Sequence, residues 1–516
     1  MGSNATPEVP EVLSLSKLKV TLPQDVYNHL ARQYPTSRGV GGNVVEVTTD
    51  LDNILECMKT SPAETCCRVN LLKTSVDEVI DALKTHLSTK REKNHETSPK
   101  QEYSVQRHDT IKDLVIIRGL SSSSRDDLFR FSVPSGAHAT DKKELLSGDV
   151  RRKKGWPMSH RVVIVDRFCA EAVLRGAHVF VKGILCADAG IKEEEEVAVY
   201  AHLSQNSRQV PRGLLLEHYF GKCAFLGIGR SCCKRSDYFA QSTGLGVAMV
   251  KLAGPPQPPL NAILVGKIML QNLPSVVVAH ALDPKEGDVI LDMCCAPGGK
   301  TAHVASLIGN NGLIIACDKG RKKMTQAREF FHSMGATCIV PIAADSTKLL
   351  LAEAIDNAPR PKDILESATS ENNDNILKVN GFYPESFDRI LLDPPCSALG
   401  LRPKLQIDIN TTEELLKHSE YQKQFIRCAI PLLKTGGTMT YSTCTINQSE
   451  NEAIVSFILS EFPCMKLLPI PDYLPGLPAL TGVGLSDEER HMIRRFDPCD
   501  KNIDSMGFFV AKFYKQ

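Results

Sequence analysis

The sequence predicts an α/β chain built on a doubly wound, mostly parallel sheet over residues 260–516, preceded by a β-rich module over 162–253 and a small α/β region over 14–85. Three observations carry this. From Leu260 onward, strand-like runs (DVILDMC, GLIIACD, ATCIVPIAAD, FDRILLD, GTMTYST) alternate with helical patterns such as KKMTQAREFFHSM, the texture of parallel strands joined by crossover helices. Upstream, RVVIVDRFCAEAVLRGAHVFVKGILC, EEVAVYAHL, CAFLGIGR and GLGVAMVKL set short β-branched runs between Gly turns. Between the two textures, GPPQPPL over Gly254–Leu260 places prolines that cannot continue a strand ladder, which marks a boundary.

At about 150 residues per domain, a chain of 516 residues holds about three domains, and 42% hydrophobic residues suffice for sizeable cores. There is no apolar run long enough to span a bilayer, and MGSNATPEVPEVLSLSKLKV lacks the charged and apolar regions of a secretory signal. A cytoplasmic chain is expected, with the nucleus open. The 17 cysteines are scattered without a C-x-x-C pair, so they are expected to be reduced and no metal site is expected from them. A net charge of +1 announces no nucleic acid globally, but Lys142–Lys182 holds ten Lys/Arg against four Asp/Glu. That stretch reads either as a phosphate-binding face or as a solvated basic loop. Within it, RRKK at Arg151–Lys154 reads as exposed charge, a phosphate contact or a nuclear address. Gly2 and Thr6 fit an acyl-acceptor pattern short enough to arise by chance.

Taken in order, LSKLKVTLPQDVYNHLARQY and VDEVIDALKTHL show helical spacing around a strand-like CCRVNLL, giving the α/β unit of 14–85. Residues 86–161, with SSSSRDD and VRRKKGWP, are expected as a mobile linker or insertion. After the proline boundary, ILVGKIMLQNL reads as helical, Ala358–Gly381 is polar enough for an inserted loop, and GFFVAKFY supplies the last strand.

Ligands of open α/β sheets collect outside the carboxyl ends of strands, and a Gly-rich first turn lets backbone approach them closely. CAPGGK occupies that place, without the spacing of a dinucleotide site or a P-loop. Asp318 ends the next strand and suits a ribose-binding carboxylate; Asp345 and Asp393 end two more. Each acid alone reads equally as a helix cap, but three make a rim. An adenosine cofactor without pyrophosphate fits better than NAD or ATP, and S-adenosylmethionine leads. DPPCS and STCT also follow strands of this sheet, so Cys396 and Cys444 should both reach the rim. A single cysteine there would read as an inert buried residue; two beside a cofactor loop argue for chemistry.

The ordered set LDMCCAPGGKT, CDKG, AAD, LLDPPCSALG and YSTCT, closed by GFFVAKFY, resembles the Nop/Sun family of RNA cytosine-5 methyltransferases over about residues 260–516. EAVLRGAHVFVKGI resembles a PUA domain, and that arrangement resembles the branch that methylates tRNA near its 3′ end. The resemblance implies a Rossmann-like methyltransferase domain in which Cys444 attacks C6 of cytosine, making C5 carbanion-like so that it takes the methyl group. Cys396 is then implied to assist breakdown of the adduct, Lys300 to favour the thiolate over a thiol of ordinary pKa about 8.5, and Asp393 to bond the cytosine edge. Implied cofactor-facing positions are Cys294, Cys295, Ala296, Pro297, Gly298, Gly299, Lys300, Asp318, Lys323, Asp345 and Asp393. RNA contacts are expected at Arg175, Lys182, Arg208, Arg212 and Lys222, and a base that must leave its stack favours ends or loops of RNA. Two features depart from the family pattern. Pro394 and Ala398 stand where Ala-Pro-Cys-Ser-Gly is usual, with Cys295 for a common Ala, and SQNSRQVPRGLLLEHYFGK is poor in Lys for a tRNA-end binder. A non-catalytic RNA-binding protein is opposed by the intact chemical set, and a DNA cytosine methyltransferase by the Thr-Cys motif and the PUA-like module. No membrane or obligate protein partner is expected.

Overall fold

The β-branched runs and amphipathic helices of the C-terminal half assemble, in a computed structural model, into one eight-stranded sheet covered on both faces. The structure describes residues 12–34, 51–93, 102–120, 156, 159–203, 210–255, 257–258, 260, 263–351, 360–361, 363 and 376–516. Five strands run parallel: β1 (Val289–Asp292), β2 (Leu313–Asp318), β3 (Ile339–Ala343), β4 (Phe387–Leu392) and β5 (Leu433–Thr443), in the order β3-β2-β1-β4-β5. Three more strands, β6 (Met465–Leu468), β7 (Arg494–Phe496) and β8 (Phe508–Lys515), close the sheet antiparallel, with β8 pairing β5, β6 and β7. Alternate strand residues face opposite layers. Ile290 and Ile314 pack with α1 (Leu273–Leu282), α2 (Gly299–Leu307) and α3 (Arg321–Met334), while Leu291 and Ile315 pack with α4 (Thr412–Leu432) and α5 (Glu452–Glu461). The strand order reverses between β1 and β4, which opens a crevice at their carboxyl ends.

The β-rich module forms a second eight-stranded sheet, from Arg161–Val165 to Leu245–Leu252, joined at one side by Val12–Leu13 pairing parallel with Cys223 and Ala224. RFCAEAVL within it is a helix, Arg167–Leu174, started by the Asp166 carboxylate accepting from Cys169 N–H at 2.8 Å. Arg167 also reaches out of the module to hold both carboxylate oxygens of Asp408 at 2.6 and 2.7 Å, which ties the module to the C-terminal domain.

The region expected as a linker over 86–161 is partly ordered structure. Helix Val76–Lys93 runs into it, and strands Glu102–Arg107 and Leu114–Leu120 pair with each other, the latter also with Glu64–Val69. Val105, Val115 and Ile117 bury one face against Val79, Ile80 and Leu83, and Leu114 and Ile116 bury the other in the core of the C-terminal domain, while SSSSRDD and VRRKKG lie outside the described residues. RRKK at Arg151–Lys154, Gly2 and residues 364–375 of the expected insertion lie outside the described residues. The helix expected from ILVGKIMLQNL is instead a strand, Ile268–Leu270, which completes the four-stranded N-terminal sheet beside Glu64–Val69. Gly266 accounts for the break: it turns at φ +77°, and a Cβ there would lie 2.4 Å from Ser333 O. Among the described residues no helix is long and apolar enough to cross a membrane.

Candidate active site

At the end of β1 the chain turns through CCAPGG into α2 and walls a cavity of about 160 Å³. Cys294, Cys295, Ala296, Pro297, Gly299, Lys300 and Asp393 line it, together with Asp292, Met269, Gln271 and Ser275, which the sequence reading missed. Gly298 turns at φ +109°, and a Cβ there would fall 2.5 Å from Phe331 Cε1; on Gly299 it would fall 2.6 Å from Met269 Cε. This backbone can therefore lie against a ligand where a side chain could not. Gly298 itself, Asp318, Lys323 and Asp345 lie outside the cavity lining. Asp318 accepts from Gly320 N–H at 3.1 Å ahead of α3, and Lys323 is exposed beside Gly320. Asp345 is a helix cap, accepting from Thr347 N–H (3.2 Å) and Oγ1 (2.7 Å), and meets Lys319 Nζ at 3.1 Å.

Two walls of the cavity come from outside the catalytic sheet. Met269 and Gln271 extend from the N-terminal sheet, where the buried Arg68 donates through Nε to Gln271 Oε1 at 2.7 Å and through Nη2 to Gly299 O at 3.5 Å. Burial pushes the Arg68 guanidinium down to about 10. Beside it Asp113 meets the Nε2 atoms of His280 at 2.8 Å and His303 at 2.7 Å. These three groups would suit a metal by type, but the contacts have hydrogen-bond lengths and the Arg68 charge acts on the same cluster. They clamp the N-terminal sheet onto α1 and α2. Burial likewise pushes Asp292 up to about 7, although Thr301 Oγ1 donates to it at 2.6 Å and Cys294 N–H at 3.2 Å.

β4 and β5 are parallel neighbours, and the residues just beyond them bring the two thiols together: Cys396 Sγ and Cys444 Sγ lie 3.3 Å apart. Cys444 is held below the ordinary thiol value. The hydrogen bond it shares with Cys396 is the first cause, and Lys300 and Lys404 add to it against burial and the Asp393 charge. Cys396 is pushed well above the ordinary value by that same hydrogen bond, then by burial, by the Cys444 charge and by Glu450. Lys300, in the first turn of α2, meets Asp393 Oδ2 at 2.7 Å and lies over the Phe508 ring at 5.4 Å. Burial alone would lower Lys300, but Asp393 reverses this and keeps it cationic. Asp393 Oδ1 accepts from Ser442 Oγ at 2.6 Å. Lys404, another residue missed in the sequence, donates to Ala398 O at 3.1 Å. Ala398, at the position where the family pattern has Gly, holds φ +53°, a conformation costing a Cβ-bearing residue about 1 kcal/mol.

On the β-rich module Arg175, Lys182 and Lys222 are exposed. Arg212 donates to the carbonyls of Val181 (3.1 Å), Gln241 (3.0 Å) and Tyr238, which gives it a structural use, and Arg208 lies outside the described residues. Phe168, Phe180 and Phe220 stand exposed on the same module, aromatic faces of the kind on which bases stack, and the sequence reading did not single them out.

A doubly wound sheet with a glycine turn after β1 and paired thiols after β4 and β5 is the arrangement of a Rossmann-like methyltransferase domain. Residues 279–514 match the model of the family described as 16S rRNA methyltransferase RsmB/F, and residues 161–216 match the PUA domain. The chain belongs to the RsmB/F (Nop/Sun) family of RNA cytosine-C5 methyltransferases and carries a PUA domain. It is 32% identical to the rRNA (cytosine-C(5))-methyltransferase NOP2C of Arabidopsis thaliana, over 87% of this chain and 85% of that one. It is 33% identical to the tRNA (cytosine(72)-C(5))-methyltransferase NSUN6 of Homo sapiens, over 74% of this chain and 82% of that one. The solved structure of NSun6 from Pyrococcus horikoshii with SFG superposes with a TM-score of 0.64 at 26% identity, covering 96% of this chain and 98% of that one.

Proposed function

We propose that this protein transfers a methyl group from S-adenosylmethionine to C5 of a cytosine near the acceptor end of tRNA, with Cys444 as nucleophile and Cys396 as the group that frees the product. The observation that carries this is the pair of thiols 3.3 Å apart beside the Lys300–Asp393 ion pair and the glycine turn. Cys396 and Cys444 share a hydrogen bond, and Lys300 and Lys404 favour negative charge at Cys444, so Cys444 is the thiol prepared to attack C6. Attack places electron density on C5 and N3. Asp393, already anchored by Ser442, is positioned to meet the cytosine edge. When bound, the cofactor supplies an electrophilic methyl group. The Cys294–Lys300 turn, Asp292, Gln271 and Asp318 would hold it, which fits the close backbone at Gly298 and Gly299. After methylation the C5 proton must leave before the C6–S bond breaks. Once Cys444 is bonded to C6, Cys396 can give its own proton to solvent and, as a thiolate beside Cys444, is placed to accept the C5 proton, whereupon C5=C6 reforms and the C6–S electron pair returns to Cys444.

The tRNA assignment draws on the NSUN6 relatives and on the PUA domain, and the exposed Phe168, Phe180 and Lys182 offer stacking and phosphate contacts. The NOP2C likeness makes ribosomal RNA the comparison substrate. Tritiated methyl transfer to tRNA transcripts with and without a cytosine at the 3′-end region, and to rRNA fragments, tests the assignment. Label confined to tRNA and lost with that cytosine is expected; label on rRNA alone would overturn the substrate.

The N-terminal sheet should matter to the cofactor. Arg68→Met keeps the volume but removes the hydrogen bond that orients Gln271 in the cavity wall. Calorimetric titration with S-adenosylmethionine is expected to show affinity about 10-fold weaker, the loss of one charge-assisted hydrogen bond, with the far-ultraviolet spectrum unchanged.

A further inference from the structure

The residue after each thiol is a hydroxyl residue, and the two hydroxyls meet: Ser397 Oγ and Thr445 Oγ1 lie 2.7 Å apart in the buried interior. Beneath this bridge is Glu450, at the end of the short 3-10 turn Gln448–Glu450 beyond β5 and fully buried. Its Oε1 accepts from Ser397 Oγ at 2.6 Å and Asn447 Nδ2 at 2.9 Å, and its Oε2 from Ser397 N–H at 2.9 Å and Gln422 Nε2 at 3.0 Å. Gln422, on α4, also donates to Pro395 O at 3.1 Å. The Pro-Cys loop is therefore fixed on both sides of Cys396, and the carboxylate that fixes it is linked through Ser397 to the Thr-Cys loop.

Charge around the two thiols is unequal. Cys444 faces Lys300 from α2 and Lys404 from the loop beyond β4, opposed by Asp393. Cys396 faces Cys444 and Glu450. Among the described residues no cation lies within ion-pair distance of Glu450, and both its oxygens are met by hydrogen-bond donors.

We propose that Glu450 is a positioning residue of the methyl-transfer reaction, holding the two thiol loops at their working separation and keeping the shared proton on Cys396, so that Cys444 is the sulfur that attacks. The proposal rests on the two-thiol reading above. The unequal surroundings support it: Glu450 acts on Cys396, whereas Lys300 and Lys404 act on Cys444. A hub that merely held the interior together would affect stability without affecting which thiol ionises.

The test uses the full chain with limiting iodoacetamide between pH 6.5 and 9, peptide mass spectrometry to divide the label between Cys396 and Cys444, and methyl transfer to tRNA. Wild type is expected to label Cys444 about 10-fold faster than Cys396, as the more ionised thiol. Glu450→Gln is expected to cut that preference at least about 5-fold and to lower kcat about 10- to 100-fold, with KM for S-adenosylmethionine unchanged. Glu450→Asp, which keeps the charge, should keep most of the preference. Thr445→Val removes the hydroxyl bridge, together with the bond that Thr445 Oγ1 accepts from Asn447 N–H at 3.2 Å, and stands in if Glu450→Gln fails to fold: kcat should fall about 10-fold with the labelling preference retained. A folded Glu450→Gln protein with wild-type labelling, or a Thr445→Val enzyme with wild-type kcat, overturns the proposal. An RNA adduct mapped to Cys396 in the wild type instead overturns the two-thiol reading on which it rests.

Discussion

Cys444→Ala is expected to reduce methyl transfer to background, a loss of at least about 10⁴-fold, with no covalent RNA species on a denaturing gel, whereas Cys396→Ala is expected to accumulate one. The two outcomes differ because the two sulfurs, 3.3 Å apart, are asked for different steps. Without a thiolate adding to C6, cytosine C5 has too little electron density to take a methyl group, and no other cysteine shares this position. Without Cys396, attack and methylation still proceed, but loss of the C5 proton and cleavage of the C6–S bond are impaired, so the adduct persists. Cys396→Ala has a second effect that the geometry specifies. It removes the hydrogen-bond partner of Cys444, first among the causes holding that thiol down, so adduct formation should be slower than wild type at neutral pH and recover as pH rises. Single-turnover mixing with end-labelled tRNA across pH reads both effects. An active Cys444→Ala enzyme alongside an inactive Cys396→Ala enzyme would reverse the assignment.

What the sequence made legible and what it hid divide along contact range. The parallel strands, the glycine turn and both thiols were legible because each is a local pattern: an apolar run, then small or polar residues where a strand must end. The reversal of order between β1 and β4 then puts those strand ends at one crevice with no further information. Met269, Gln271 and Arg68 were not legible, because they reach the cavity through a strand of three residues paired to a strand some 200 positions earlier. A strand that short has no measurable period, and its apolar residues fit a helix equally well. The same holds for Asp113, His280 and His303, joined only by the docking of the N-terminal sheet. Asp345 shows the reverse case, a strand-end acid read as part of a ligand rim that the structure uses to cap a turn. Ala398 turns an apparent lapse from a motif into a physical statement: a Cβ-bearing residue at φ +53° is under strain that Gly would relieve.

Lys300→Met is expected to cost about 10²-fold in kcat and to move the acid limb of the pH–rate profile to higher pH. The sign follows from the site. With Cys444 attacking as a thiolate, as proposed above, activity should rise as pH rises through the value of that thiol, which the structure holds below the ordinary one. Lys300 is one of two cations favouring the thiolate, and it also neutralises Asp393 at 2.7 Å. Removing it withdraws an attraction and at the same time leaves the Asp393 charge unscreened toward Cys444. Both changes raise the thiol, so the deficit should be largest at low pH and should narrow toward pH 9. Lys404→Met should act in the same direction but more weakly, because Asp393 has no such pairing with Lys404, whose ammonium is held at Ala398 O and near Glu171 and Asp408. The competing account, in which Lys300 serves only to hold the cofactor, predicts a raised KM for S-adenosylmethionine with an unmoved acid limb. Measuring kcat at saturating cofactor across pH, beside the pH dependence of Cys444 alkylation, separates the two, since only the electrostatic role moves the alkylation curve of a protein that has no cofactor bound.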